Sequence, residues 1–116
     1  MAQKIKKNSL IPRQRTREIV SKIVAQLKKD KVDFQSVYIF GSQVTEYSHE
    51  ESDIDLCIVL QDVAENFFDK KKMEAIHSAN KLRENIDIIV TTQTEFKKNM
   101  VSPILHEIRK NGVLVS

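Results

Sequence analysis

The chain has 116 residues, 41% hydrophobic and 30% charged, with two glycines, two prolines and one cysteine. This is a globular composition, long enough for one domain with a real core and too short for two. A formal charge of +3 and a pI of 9.0 would point to nucleic acid if the charge were spread evenly, but it is not.

Residues 1–17 carry Lys4, Lys6, Lys7, Arg13, Arg15 and Arg17 and no acid. The remaining thirteen bases face sixteen acids, a balance of −3 over residues 18–116. The expected division is therefore a flexible basic tail, 1–15, and one folded domain, 16–116, without specific nucleic-acid binding. Ile19, Val20, Ile23, Val24 and Leu27 recur at helical spacing and predict an amphipathic helix from about Thr16 to Lys29, with Lys22, Lys28 and Lys29 outward. Val37 to Phe40 reads as a short buried strand, 43–52 as a polar loop with one helical turn at most, and Asp53 to Leu60 as the central strand. A second helix is expected over Asn66–Glu84, with Met73, Ile76, Ala79 and Leu82 inward, then a third strand over Ile86–Thr91. Ser102-Pro103 opens a last helix with Ile104, Leu105 and Ile108 inward, and Asn111-Gly112 closes it before an edge strand at Val113–Val115. Helices alternating with strands imply an α+β fold, a small mixed sheet with helices packed on it.

The longest apolar run, Leu56 to Leu60, is five residues, against the ~20 that span a membrane. No apolar segment follows the basic N-terminus, so no secretory leader and no membrane association are expected. Cys57 stands alone in an apolar strand, which excludes an intrachain disulfide and suits an inert thiol in a reducing cytoplasm.

The chemistry is concentrated between Gly41 and Leu60. Gly41-Ser42 ends one apolar run, and small residues leaving a strand let backbone amides approach a phosphate. Asp53 and Asp55 open the next strand, two residues apart and so on one face. A merely solvated strand face would stay polar at positions 57 and 59, but these are Cys57 and Val59, so the acids stand at the rim of a buried strand. Asp87, between Ile86 and Ile88, starts another buried strand in the same way. Two carboxylates about 4 Å apart repel by roughly 4 kcal/mol at an effective dielectric near 20. One or two Mg²⁺ ions bridging them to a triphosphate would turn that cost into attraction. His49, His77 and His106 show no metal-ligand spacing with Cys57, the Lys70-Lys71-Lys72 run reads as a solvated helix face, and Tyr47 as a loop residue.

Gly41-Ser42, ten residues, Asp53-Ile54-Asp55-Leu56 and then Asp87 on a third strand resemble the DNA polymerase beta-like nucleotidyltransferase superfamily. Within it the chain is similar to the minimal nucleotidyltransferases (MNT), the antitoxin-type partners of helical HEPN proteins. The resemblance implies that Gly41 and Ser42 hold the terminal phosphates of ATP, that Asp53, Asp55 and Asp87 bind two Mg²⁺ ions, and that Asp87 helps deprotonate an acceptor hydroxyl. The implied reaction is transfer of AMP to a hydroxyl, a tyrosine of a HEPN toxin. Members often read Gly-Ser-Arg-Ala-x-Gly where this chain has Gln43, Val44, Thr45 and Glu46 after Gly-Ser, which removes a phosphate partner. The alternatives are a binding module that neutralises its partner without catalysis, and a small-molecule, antibiotic-type nucleotidyltransferase.

Overall fold

The protein is described by a computed structural model covering residues 14–41 and 53–116; the expected basic tail up to Arg13 and the loop readings for 43–52 lie outside the described residues. Helix α1 (Gln14–Lys29) begins two residues before the expected start, so Gln14 and Arg15 are helical rather than tail. Thr16 is buried there, and Gln14 Nε2 donates to Glu18 Oε2 one turn on, at 3.1 Å. The helix stops at a left-handed Lys31 (φ 60), with Val32 N–H donating back to Leu27 O at 2.9 Å and Lys31 N–H to Lys28 O at 3.1 Å. That pattern satisfies the last carbonyls and turns the chain into β1 (Phe34–Phe40). Strand β1 starts three residues before the expected Val37 because Phe34 already pairs with Leu60.

Strand β2 (Ile54–Leu60) pairs antiparallel with β1 and parallel with β3 (Ile86–Thr92), and β4 (Val113–Leu114) pairs antiparallel with β1. The four strands lie in the order β3-β2-β1-β4, the mixed sheet of an α+β fold. The parallel β2–β3 pair needs a crossover, supplied by α2 (Glu65–Asn80). Two short helices follow β3, α3 (Gln93–Lys98) and α4 (Pro103–Asn111).

Alternation along the strands sorts the core into two layers. Ile54, Leu56, Ile58 and Leu60 of β2 join Val37, Ile39 and Val90 beneath α1 and α2. Cys57 and Val59 join Phe40 beneath Phe96 of α3 and Leu105 and Ile108 of α4. Both faces of β2 are therefore covered, which explains its unbroken apolar sequence.

Helix α2 departs most from expectation. It ends at Asn80, four residues short of Glu84, and Met73 is 60% exposed. Its buried residues are Ala75, Ser78 and Ala79, small side chains that let α2 approach α1 closely. Ser78 Oγ donates to Asp30 Oδ2 at 2.7 Å, and that carboxylate also accepts from Gln26 Nε2 and Lys81 Nζ, each at 3.0 Å. Helix α3 has no counterpart in the sequence reading, although Thr92-x-x-Glu95 is a helix-start signal: Thr92 Oγ1 accepts from Glu95 N–H at 3.3 Å. Asp62 anchors it by accepting Thr94 N–H at 2.9 Å and Thr94 Oγ1–H at 2.6 Å. In α4, Ser102 caps Leu105 N–H as expected, but Ile104 is 42% exposed and only Leu105 and Ile108 are buried. Gly112 ends α4 at φ −66; glycine is required for space, since a Cβ would stand 2.6 Å from the Ile108 carbonyl oxygen. No helix among the described residues is long and apolar enough to cross a membrane.

Candidate functional site

Strand register brings together two of the acids that the sequence separates. Asp55 of β2 lies opposite Asp87 of β3 on one side and Phe40 of β1 on the other. Phe40, Asp55 and Asp87 thus form one row across three strands, on the face that further along carries Cys57 and Val59. Neighbouring strands are ~4.8 Å apart, so the Asp55 and Asp87 carboxylates stand side by side. Asp53 precedes β2 by one residue and is exposed, as is Asp87, while Asp55 is half-buried beside Phe40. Ile54 N–H donates to Asn85 O at 3.0 Å, which aligns the starts of β2 and β3.

The electrostatics of this row are one-sided. Burial first, then the negative charges of Asp87 and Asp53, raise the Asp55 carboxyl above its ordinary value. Gly41, directly after β1, has φ +75, and a Cβ there would overlap Asp55 Oδ2 and stand 3.1 Å from its Cγ. Backbone thus lies against carboxylate where no other residue type fits. Ser42, Gln43, Glu46, Tyr47 and His49 lie outside the described residues. His77 and His106 are exposed on α2 and α4, and neither is among the groups acting on Asp55. Phe40 was missed as a wall of the site because its place beside Asp55 depends on the β1–β2 register.

The donor set is acidic and oxygen-only, which suits a hard divalent cation. Among the described residues no three His, Cys, Asp or Glu side chains are gathered closely enough to hold an ion unaided. Mg²⁺ does not need three: it is commonly held by one or two carboxylates, with phosphate oxygens and water completing the shell. The paired Asp55 and Asp87 meet that requirement. A separate depression of about 520 Å³, lined by Val63, Glu65, Phe68, Asp69, Thr92 and Glu95, lies where β3 runs out, at the opposite end of that strand from Asp87.

Known proteins place this arrangement in a family. Residues 21–116 match the family described as polymerase beta, nucleotidyltransferase. A candidate nucleotidyltransferase from Sulfolobus solfataricus is similar in structure at 28% identity and a TM-score of 0.62, over 86% of this chain and 78% of that one. An MNT antitoxin solved in complex with the tri-AMPylated HEPN toxin of Shewanella oneidensis shares the fold at 19% identity and a TM-score of 0.52, covering 87% of this chain and 71% of that one. A toxin–antitoxin structure with AMP-PNP also shares it, at 21% identity and a TM-score of 0.55, covering 83% and 71%. Comparison with curated proteins finds no match. The domain match over most of the chain, together with a sheet whose adjacent strands present Asp55 and Asp87 beside Gly41, shows that the chain belongs to the polymerase beta nucleotidyltransferase family.

Proposed function

We propose that this chain is a single-domain, divalent-metal-dependent enzyme that moves AMP from ATP onto a hydroxyl of a helical partner protein, a tyrosine of a HEPN toxin, and so acts as an antitoxin. The observation that carries the reading is the Asp55–Asp87 pair in register at the starts of two parallel strands, next to a glycine that brings backbone against it. The neighbours in which an MNT antitoxin accompanies an AMPylated HEPN toxin support the acceptor class.

In this reading Asp55 and Asp87, with Asp53 beside them, would hold Mg²⁺, which when bound would supply neutralisation of phosphate charge. Gly41, with Ser42, offers amides to the terminal phosphates. Asp87, the exposed member of the pair, would accept the proton of the incoming hydroxyl. The hydroxyl oxygen then bonds to the α-phosphorus while the bond to the bridging α–β oxygen breaks and pyrophosphate leaves. Catalysis of this type is positioning plus charge neutralisation, which a small domain can supply. A partner surface must bring the acceptor and exclude water, since Asp53 and Asp87 are open to solvent. Adding a phosphate ester to the partner places charge and bulk there, a change able to block RNA entry.

The test is the intact mass of a candidate HEPN partner after co-expression with wild type or Asp87→Ala. An adenylyl increment with wild type that is lost in the variant supports catalysis. A partner left unmodified yet neutralised by both would make the chain a binding module instead.

A further inference from the structure

The turn between α2 and β3 holds an arginine that the site as described leaves unused. Asn85 O accepts Ile54 N–H at 3.0 Å, which fastens this turn to the start of β2, next to Asp53. Arg83 lies two residues earlier in the turn. Two residues span at most roughly 7 Å, a distance an extended arginine side chain covers. Arg83 is exposed, and among the described residues its guanidinium makes no hydrogen bond or ion pair. Its neighbour Lys81 is committed elsewhere, to Asp30 at 3.0 Å. Glu84 is the adjacent acid in the turn.

The backbone of Arg83 is left-handed, φ 56, with its N–H donating to Asn80 O at 3.0 Å. Glycine takes this conformation more easily than arginine. Lys31 (φ 60) shows the same geometry after α1, so the conformation alone assigns no role. What sets Arg83 apart is place and need. Three carboxylates and a triphosphate carry more negative charge than two divalent cations remove, and Arg83 is an uncommitted cation in the turn fastened to the strand start beside them. A guanidinium offers planar, paired donors suited to phosphate.

We infer that Arg83 binds the polyphosphate of the nucleotide, as a substrate-positioning residue reaching in from the α2–β3 turn. The inference rests on the nucleotide-transfer reading above, and it assigns to this turn a share of triphosphate affinity that the carboxylates cannot supply.

The test is calorimetric titration of ATP and of AMP, in Mg²⁺, into wild type, Arg83→Gly and Arg83→Lys, with thermal midpoints measured alongside. Loss of one charge-assisted phosphate contact weakens ATP binding by about tenfold or more. Arg83→Gly should show that loss for ATP and not for AMP, while its midpoint holds or rises because glycine accepts the left-handed turn. Arg83→Lys should recover part of the affinity. Unchanged ATP affinity in Arg83→Gly, an equal loss for AMP, or a fall in its midpoint would each overturn the assignment. If wild type binds no Mg²⁺–ATP at all, the nucleotide-transfer reading fails with it, an outcome distinguishable from failure of Arg83 alone.

Discussion

A methyl group on Gly41 would occupy the space held by the Asp55 carboxylate. The contact joins the residue that follows β1 to the most buried of the three candidate acids, at a backbone angle (φ +75) that L side chains resist. Gly41→Ala should therefore fail twice. The left-handed conformation alone costs a non-glycine residue roughly 1–2 kcal/mol, and relief of the overlap must move Asp55. A lowered urea midpoint together with lost Mg²⁺-dependent ATP binding is the expected result. Full ATP affinity in this variant would mean that Asp55 can shift without consequence.

Asp55→Asn separates charge from shape. The raised carboxyl reports burial and repulsion from Asp87 and Asp53, so removing the charge should leave the metal-free fold as stable as wild type or more so. Because the folded value is raised, the penalty is absent below the ordinary carboxylate range and fully present above the folded value. The gain should appear at neutral pH and fade in acid, read by denaturant unfolding in EDTA at about pH 7 and about pH 4. Metal-dependent nucleotide binding should disappear. A variant that unfolds would make Asp55 structural.

Asp30 behaves in the opposite sense. Donation from Gln26, then Ser78, then Lys81 holds its carboxyl far below the usual range. Its contribution is therefore complete above the unfolded value of about 4 and is lost as pH falls through the lower folded value. Asp30→Ala should destabilise the protein at neutral pH, and the difference from wild type should shrink on acidification toward about pH 2. Parallel stability curves across that range would remove Asp30 from the α1–α2 junction as an energetic contributor.

Cys57 gives a reporter of unfolding. It is fully buried, and burial pushes its thiol up to about 12. Labelling by a disulfide reagent at neutral pH should proceed at the rate of unfolding and become immediate in denaturant. Fast labelling of native protein would show that the layer beneath α3 and α4 opens locally.

Nucleic-acid retention should reside in the basic N-terminal segment, since residues 14–116 carry fifteen bases against sixteen acids, a balance of −1. Deletion of residues 1–13 should abolish binding to a nonspecific duplex, and binding by the full chain should fall steeply with salt. Retention that survives the deletion would place a nucleic-acid surface on the folded part.

The acids, the glycine and the strands that carry them were legible from local pattern. Asp55 and Asp87 each interrupt apolar sequence at a strand start, Asp53 immediately precedes one, and Cys57 and Val59 exclude a solvated face. The inner face of α1 was equally plain, because five apolar residues at helical spacing leave one orientation. Helix α2 was not. Met73 fits the apolar stripe but lies outward, since the close approach to α1 selects the small face of Ala75, Ser78 and Ala79. That choice depends on what lies opposite, which periodicity does not encode. The same holds for the site. Sequence places an acid on each of two strands, but only parallel pairing in register sets Asp55 against Asp87 and seats Phe40 beside them. The need for glycine at position 41 arises from a side chain fourteen residues away. Local propensity and hydrophobic spacing act within a few residues, whereas register, helix phase and close contacts are settled when distant segments pack.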